Sequence, residues 1–279
     1  MSAAKNDVRT LNGQGGGMPA LGFGTWKLSG QECIRSIQLA LDAGYAHIDT
    51  AQGYHNEGEV GEGIREAATD RSDIFLTTKV WMDNLAAGDL KESTEQSLRK
   101  LGTDYVDLLL IHWPSDSVPM EESLGAMSEL RDAGKIRHLG VSNFTTGLLD
   151  EAQRVCDSPI FCNQVEYHPY LAQEPLLDYC RQNDILMVAY SPLARGKVFD
   201  DEALQSIGEA HGKNPGQVVL RWLLQQEGVA AIPKSGNPEH IQSNRDVFDF
   251  ELSDREMELI HRLACGDRLI DPDIAPEWD

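Results

Sequence analysis

Four side chains in the first half of the chain, Asp49, Tyr54, Lys79 and His112, are of types that together can deliver a proton to a carbonyl oxygen. A free tyrosine titrates at about 10 and is a poor proton donor at neutral pH. A neighbouring ammonium favours the phenolate and brings that value down. Lys79 is the available ammonium and Asp49 its counter-ion. Tyr54, five residues beyond Asp49, would then be the general acid that protonates a carbonyl oxygen as hydride reaches the carbon. His112 could orient that carbonyl or share the proton. Each residue alone has a plainer reading: Asp49 as the cap of a turn, Lys79 as a snorkelling rim residue, His112 as a hydrogen-bonded core histidine. Together they are harder to dismiss, because apolar strands ending in an acid, a lysine and a histidine would bury costly groups unless these satisfied one another.

The elements that must position them follow from an alternation of short apolar, β-branched runs with longer helix-like stretches, which argues for parallel strands joined by crossover helices. Strands are expected at 21–24, 46–49, 74–79, 106–112, 138–142, 163–166, 186–190 and 229–233. Helices are expected at 30–43, 57–67, 89–101, 120–133, 146–155, 174–182, 215–226 and 238–245. Gly44, Gly102 and Gly134 stand just past helical runs, where a stop is expected. Two extra helices are expected at 201–211 and 254–264, and the tail 266–279 reads as an irregular flap. Eight strand-and-helix units without a composition break predict an α/β fold, a single (β/α)8 TIM barrel over 1–279. That length sits close to the roughly 250 residues typical of the architecture.

In such a barrel the chemistry collects at the C-terminal ends of the strands, and polar residues recur at those ends. Asp49-Thr50-Ala51 followed by Tyr54, Asn56, Glu57 and Gly61 resembles the signature of the aldo-keto reductases. The resemblance runs along nearly the whole chain: Leu21-Gly22-Phe23-Gly24-Thr25-Trp26, Lys79-Val80-Trp81, Ile111-His112-Trp113-Pro114, Ser142-Asn143-Phe144, Gln164, Tyr190-Ser191-Pro192-Leu193 and Ile232-Pro233-Lys234-Ser235 match in order. It implies a tetrad in which Tyr54 is the acid, Lys79 and Asp49 tune it, and His112 positions the substrate. By the same resemblance Ser142, Asn143 and Gln164 hold a nicotinamide carboxamide and Tyr190 stacks on the ring. Groups from Ser191 through Leu193 to Lys197 contact the pyrophosphate, and Gly24, Thr25, Trp26 and Asp49 also border the cofactor. Trp26, Tyr54, Trp81, His112 and Trp113 line the substrate mouth.

No strand-linked G-x-G-x-x-G occurs, since Lys27 stands where a third glycine after Gly22 and Gly24 would fall. A Rossmann domain is therefore not expected. The resemblance instead implies NADPH along the barrel mouth, with its adenosine phosphate near Lys234, Ser235, His240 and Asn244. His240 stands where an arginine is usual in that family and Ser243 where a glutamate is usual, so NADH is open as a second cofactor. Methylglyoxal-like aldehydes, aldoses and diketogluconates all remain open as substrates. Two competing readings are a Schiff-base lyase using Lys79 and a nicotinamide-binding regulatory or redox-sensing barrel without turnover.

Composition bounds the partners. Asp and Glu total 45 against 24 Lys and Arg, a formal net of −21. A field of that sign repels phosphate backbones and anionic lipid heads, so neither nucleic acid nor a membrane surface is an expected partner. A small carbonyl substrate and a monomeric state are expected instead. The acid is spread along the chain, which suggests adaptation to high intracellular salt. Five cysteines without a CxxC pair point to reduced thiols rather than disulfides or a zinc knuckle, and the eight histidines form no metal-ligand spacing. The opening residues lack the apolar core of a targeting segment, and no run of about 18 apolar residues occurs. A cytoplasmic protein is the expectation.

Overall fold

The computed structural model describes residues 9–14 and 16–279. Residues 1–8, read above as part of an opening without targeting character, lie outside the described residues. In chain order the strands are β1 (Thr10–Gly13), β2 (Gly16–Pro19), β3 (Phe23–Gly24), β4 (His47–Asp49), β5 (Phe75–Val80), β6 (Val106–Ile111), β7 (Ile136–Ser142), β8 (Ile160–Glu166), β9 (Leu186–Tyr190) and β10 (Val229–Ala231). The helices are α1 (Gly30–Asp42), α2 (Glu57–Glu66), α3 (Ala87–Leu101), α4 (Met120–Asp132), α5 (Thr146–Val155), α6 (Glu174–Gln182), α7 (Glu202–His211), α8 (Pro215–Gln225), α9 (Pro238–Arg245) and α10 (Asp254–His261).

Strands β5, β6 and β8 are buried at every position, as a parallel sheet covered on both faces requires. Eight strands, β3 to β10, pair in parallel in strict chain order. The two edges of this sheet then meet: Leu21 bridges Ala231 in parallel, Gly22 N donates to Ala231 O at 2.9 Å, and Gly24 N donates to Pro233 O at 3.0 Å. Gly24 has to be glycine there, because a Cβ would lie 2.8 Å from the Ile232 carbonyl oxygen. Regular strand hydrogen bonding at both edges is shorter than the apolar runs suggest, so β3 and β10 are trimmed relative to 21–24 and 229–233. Of the residues so left out, Ile232 and Pro233 become cavity wall, while Leu21 and Gly22 make the closing contacts with Ala231.

Helix ends follow local chemistry. Asn214 forms a capping box with Gln217 ahead of α8, with Pro215 in the first turn. Gly102 takes a left-handed conformation at the end of α3. The helices expected at 201–211 and 254–264 correspond to α7 and α10, the latter ending at His261. From Ala264 onward the chain has no helix or strand.

The alternation gives no notice of the hairpin β1–β2, whose antiparallel register pairs Thr10 with Pro19. It covers the N-terminal ends of the strands. A Cβ on Gly13 would touch Leu186 and Phe161 at 3.2 Å, and one on Gly16 would collide with His138 at 2.7 Å. Leu11 and Met18 are buried there, so the opposite mouth is the one left open.

Candidate active site

The strand ends place Asp49 at the close of β4, Lys79 one residue before the end of β5, and His112 directly after β6. Tyr54 comes from a single 3-10 turn, Gln52–Tyr54, in the loop after β4. The Lys79 ammonium, fully buried, donates to Asp49 Oδ1 at 2.5 Å, to the Thr50 carbonyl at 2.9 Å and to Tyr54 Oη at 3.2 Å. Its three donors are thus all used. Asp49 Oδ2 accepts from Gln164 Nε2 at 2.8 Å. The His112 ring packs edge-on against Tyr54, with centroids 5.6 Å apart, and against Trp81 at 5.3 Å. Its buried Nδ1 has no partner.

The electrostatics of this cluster correct one expectation. Burial raises the Tyr54 phenol above its ordinary range, and the Lys79 ammonium lowers it again only in part. The net direction is upward, and Tyr54 stays protonated at neutral pH. Burial alone would discharge Lys79, but the Asp49 carboxylate and then the Tyr54 hydroxyl outweigh it and hold the ammonium above its usual value. Burial, with Lys79 adding to it, keeps His112 well below the usual histidine range and therefore neutral. The cluster offers a protonated phenol, a fixed ammonium–carboxylate pair and an uncharged imidazole.

Asp49, Tyr54 and His112 line a cavity of about 650 Å³, with Lys79 fully buried behind them. Gly24, Thr25, Trp26, Asp49, Tyr54, Trp81, His112, Trp113, Ser142, Asn143, Gln164, Tyr190, Ser191, Leu193, Lys234, Ser235, His240 and Asn244 all line it. A hydrogen-bonded chain joins the strand ends: Tyr190 Oη donates to Asn143 Oδ1 at 2.8 Å, Asn143 Nδ2 to the His112 carbonyl at 3.0 Å, and Ser142 Oγ to the Gln164 carbonyl at 2.8 Å. Asn143 does this from a left-handed backbone, φ 64°, a conformation asparagine tolerates better than most residues. On the other side Asn56 ties two loops, accepting from Thr50 Oγ and donating to the Thr25 and Leu28 carbonyls.

Lys197 stands apart from the residues gathered at the cavity. It does not line the cavity; its ammonium pairs with Asp267 at 2.5 Å. The reason is the backbone before it, since Ala194, Arg195 and Gly196 all take positive φ and turn Arg195 toward the cavity in its place. Lys27, and Arg195 inside the stretch 191–197 but not singled out there, are two cations whose place at the cavity the sequence does not specify. Both line the cavity and both lie over the Trp26 ring, at 5.8 Å and 4.4 Å from its centroid. Phe199 and Ile270 are further wall residues without a strand-end signal.

A cavity of this volume, lined by the cations Lys27, Arg195 and Lys234 among aromatic and amide groups, has the chemistry to take a dinucleotide with its phosphates. Comparison with known proteins decides the family. A model described as Aldo/keto reductase family matches residues 20–264. The chain belongs to the aldo-keto reductase family. It is 41% identical over 266 residues to methylglyoxal reductase DkgB of Escherichia coli O157:H7, covering 94% of this chain and 99% of that one. The crystal structure of a putative 2,5-diketo-D-gluconic acid reductase B superposes with a TM-score of 0.96 at 46% identity, covering 99% of both chains. A Bombyx mori aldo-keto reductase solved in complex with NADP superposes at 0.89 with 33% identity, covering 95% of each.

Among the described residues no group of three or more His, Cys, Asp or Glu is placed to hold a metal, and no helix is long and apolar enough to cross a membrane. The five cysteines are unpaired, with Cys33, Cys162 and Cys180 buried.

Proposed function

We propose that this aldo-keto reductase reduces small aldehydes or ketones to alcohols with NADPH, that Tyr54 is the general acid, and that residues 1–279 act as one barrel domain. The observation that carries the reading is the single ammonium of Lys79 bonded at once to the Asp49 carboxylate and the Tyr54 hydroxyl, beneath an aromatic-walled cavity. A reduced nicotinamide supplies hydride to the carbonyl carbon when bound. Ser142, Asn143 and Gln164 have the amide and hydroxyl groups to hold its carboxamide, and Tyr190 offers a ring face. Tyr54 gives its proton to the carbonyl oxygen, and the adjacent ammonium stabilises the phenolate left behind. Neutral His112 has a ring N–H to direct the carbonyl oxygen toward Tyr54. Lys27, Arg195 and Lys234 serve the phosphates in place of Lys197.

The Schiff-base alternative has little support. Lys79 is fully buried, outside the cavity wall and held as ammonium, whereas a Schiff base needs a free, exposed amine. Substrates of the kind named for the relatives, methylglyoxal and diketogluconate, are the first to test. With an aldehyde panel and NADPH oxidation as the signal, Tyr54→Phe is expected to lower kcat by about 10²- to 10⁴-fold while NADPH still binds. Undiminished turnover in the variant, or a native protein that binds no NADPH, would overturn the reading.

A further inference from the structure

Glu166 ends β8 and is buried, facing Tyr190 of β9 in the parallel register. A buried carboxylate is costly unless its oxygens are filled with donors. The donors come from the C-terminal segment: Leu269 N donates to Oε1 at 2.8 Å and Ile270 N to Oε2 at 3.0 Å, one consecutive amide to each oxygen. His168 Nε2 adds a third bond to Oε1 at 2.9 Å. The segment has no helix or strand of its own, so its backbone groups have to find partners elsewhere.

The residues held this way reach the cavity. Ile270 is part of its wall. The neighbouring Arg268 guanidinium lies 3.7 Å from the centroid of the Trp278 ring, and Trp278 packs edge-on against Trp113, itself a wall residue. One carboxylate thereby joins the strand that bears Gln164 to the segment that shapes the substrate side of the mouth.

Resting on the carbonyl-reductase reading above, we infer that Glu166 is a positioning residue that latches the C-terminal segment over the cavity and so determines how tightly the carbonyl substrate, rather than the cofactor, is held. The charge-assisted bonds from two successive amides make it a stronger clasp than a neutral side chain would provide.

The test compares native protein with Glu166→Ala and Glu166→Gln by amide hydrogen exchange and by kinetics. In Glu166→Ala, exchange in peptides covering 266–279 is expected to accelerate while strand peptides of β5 and β6 keep their protection. The aldehyde KM should rise by roughly tenfold, the scale of one lost charge-assisted hydrogen bond, with kcat and the NADPH Kd moving by less than about twofold. Glu166→Gln keeps the shape and one acceptor oxygen and should fall between the two, and it carries the comparison if the alanine variant does not fold. Unchanged exchange in the segment, a loosened segment with an unchanged KM, or an NADPH Kd that moves as far as the KM would each overturn the assignment. A native protein that turns over no aldehyde would overturn the reductase reading and the substrate half of this one, while the exchange comparison would still decide whether Glu166 holds the segment.

Discussion

At the scale of single residues the site works by assigning one protonation state to each group. Tyr54 keeps its proton because burial outweighs the ammonium beside it, and Lys79 keeps its charge because Asp49 outweighs burial. The end of the cavity proposed above for the phosphates is less tightly specified. Lys234 is exposed on the cavity rim, and His240, also exposed, stands where the family resemblance leads one to expect arginine. A lysine ammonium gives a point charge to a phosphate, while an imidazole lacks the fixed bidentate fork that a guanidinium would offer. Lys234→Ala is therefore expected to raise the KM for NADPH by roughly tenfold or more, as loss of one charged hydrogen bond would, and to leave the KM for NADH unchanged. Equal effects on the two cofactors would assign Lys234 to a part of the dinucleotide they share. Asp49, Lys79 and Lys234 were legible in the residue order, because each stands at or near the end of an apolar run, and Tyr54 by its spacing from Asp49. Lys27 and Arg195 were not. Nothing local says that Arg195, rather than Lys197, is turned inward by left-handed backbone.

At the scale of elements, the loop after β4 and the helices beside it are set by close backbone approach. Gly61, in the first half of α2, sits against the end of α3: a Cβ there would lie 2.5 Å from the Leu101 carbonyl oxygen and 2.7 Å from its Cα. The collision is with backbone, so no side-chain rotation relieves it. Gly61→Ala, normally favourable in a helix, is expected to destabilise the protein by about 1–3 kcal/mol, seen as a lower urea midpoint with an unchanged slope. An unchanged or raised midpoint would mean that α2 can move away from α3 at no cost. The motif containing Asn56, Glu57 and Gly61 was visible as a pattern, but its reason, one helix seated on the end of another, is a tertiary fact. The same holds for Glu57, buried at the start of α2 and accepting from Thr78 Oγ at 2.7 Å, which braces the strand next to Lys79.

At the scale of the whole molecule the dominant quantity is charge. With 45 acidic and 24 basic side chains, negative charge stays in excess however the side chains pair, and its self-repulsion weakens as salt shortens the Debye length from about 10 Å at 0.1 M to about 3 Å at 1 M. Thermal stability is expected to increase from dilute to molar salt, by about 2 kcal/mol or more, which for a chain of this size is a shift of about 4–8 °C in Tm. A flat or falling Tm across a potassium chloride series would show that the acidic surface carries no such penalty. The eight parallel units, their order and the mouth at which the polar residues gather were determined by the sequence itself, because hydrophobic alternation is local and each strand end is marked by its own polar residue. The tertiary structure alone decided three things: the hairpin that covers the opposite end, the net upward direction at Tyr54, and the clasp of the C-terminal segment by Glu166. Each depends on groups far apart in the chain being brought within a few ångströms, and on burial that no local pattern records.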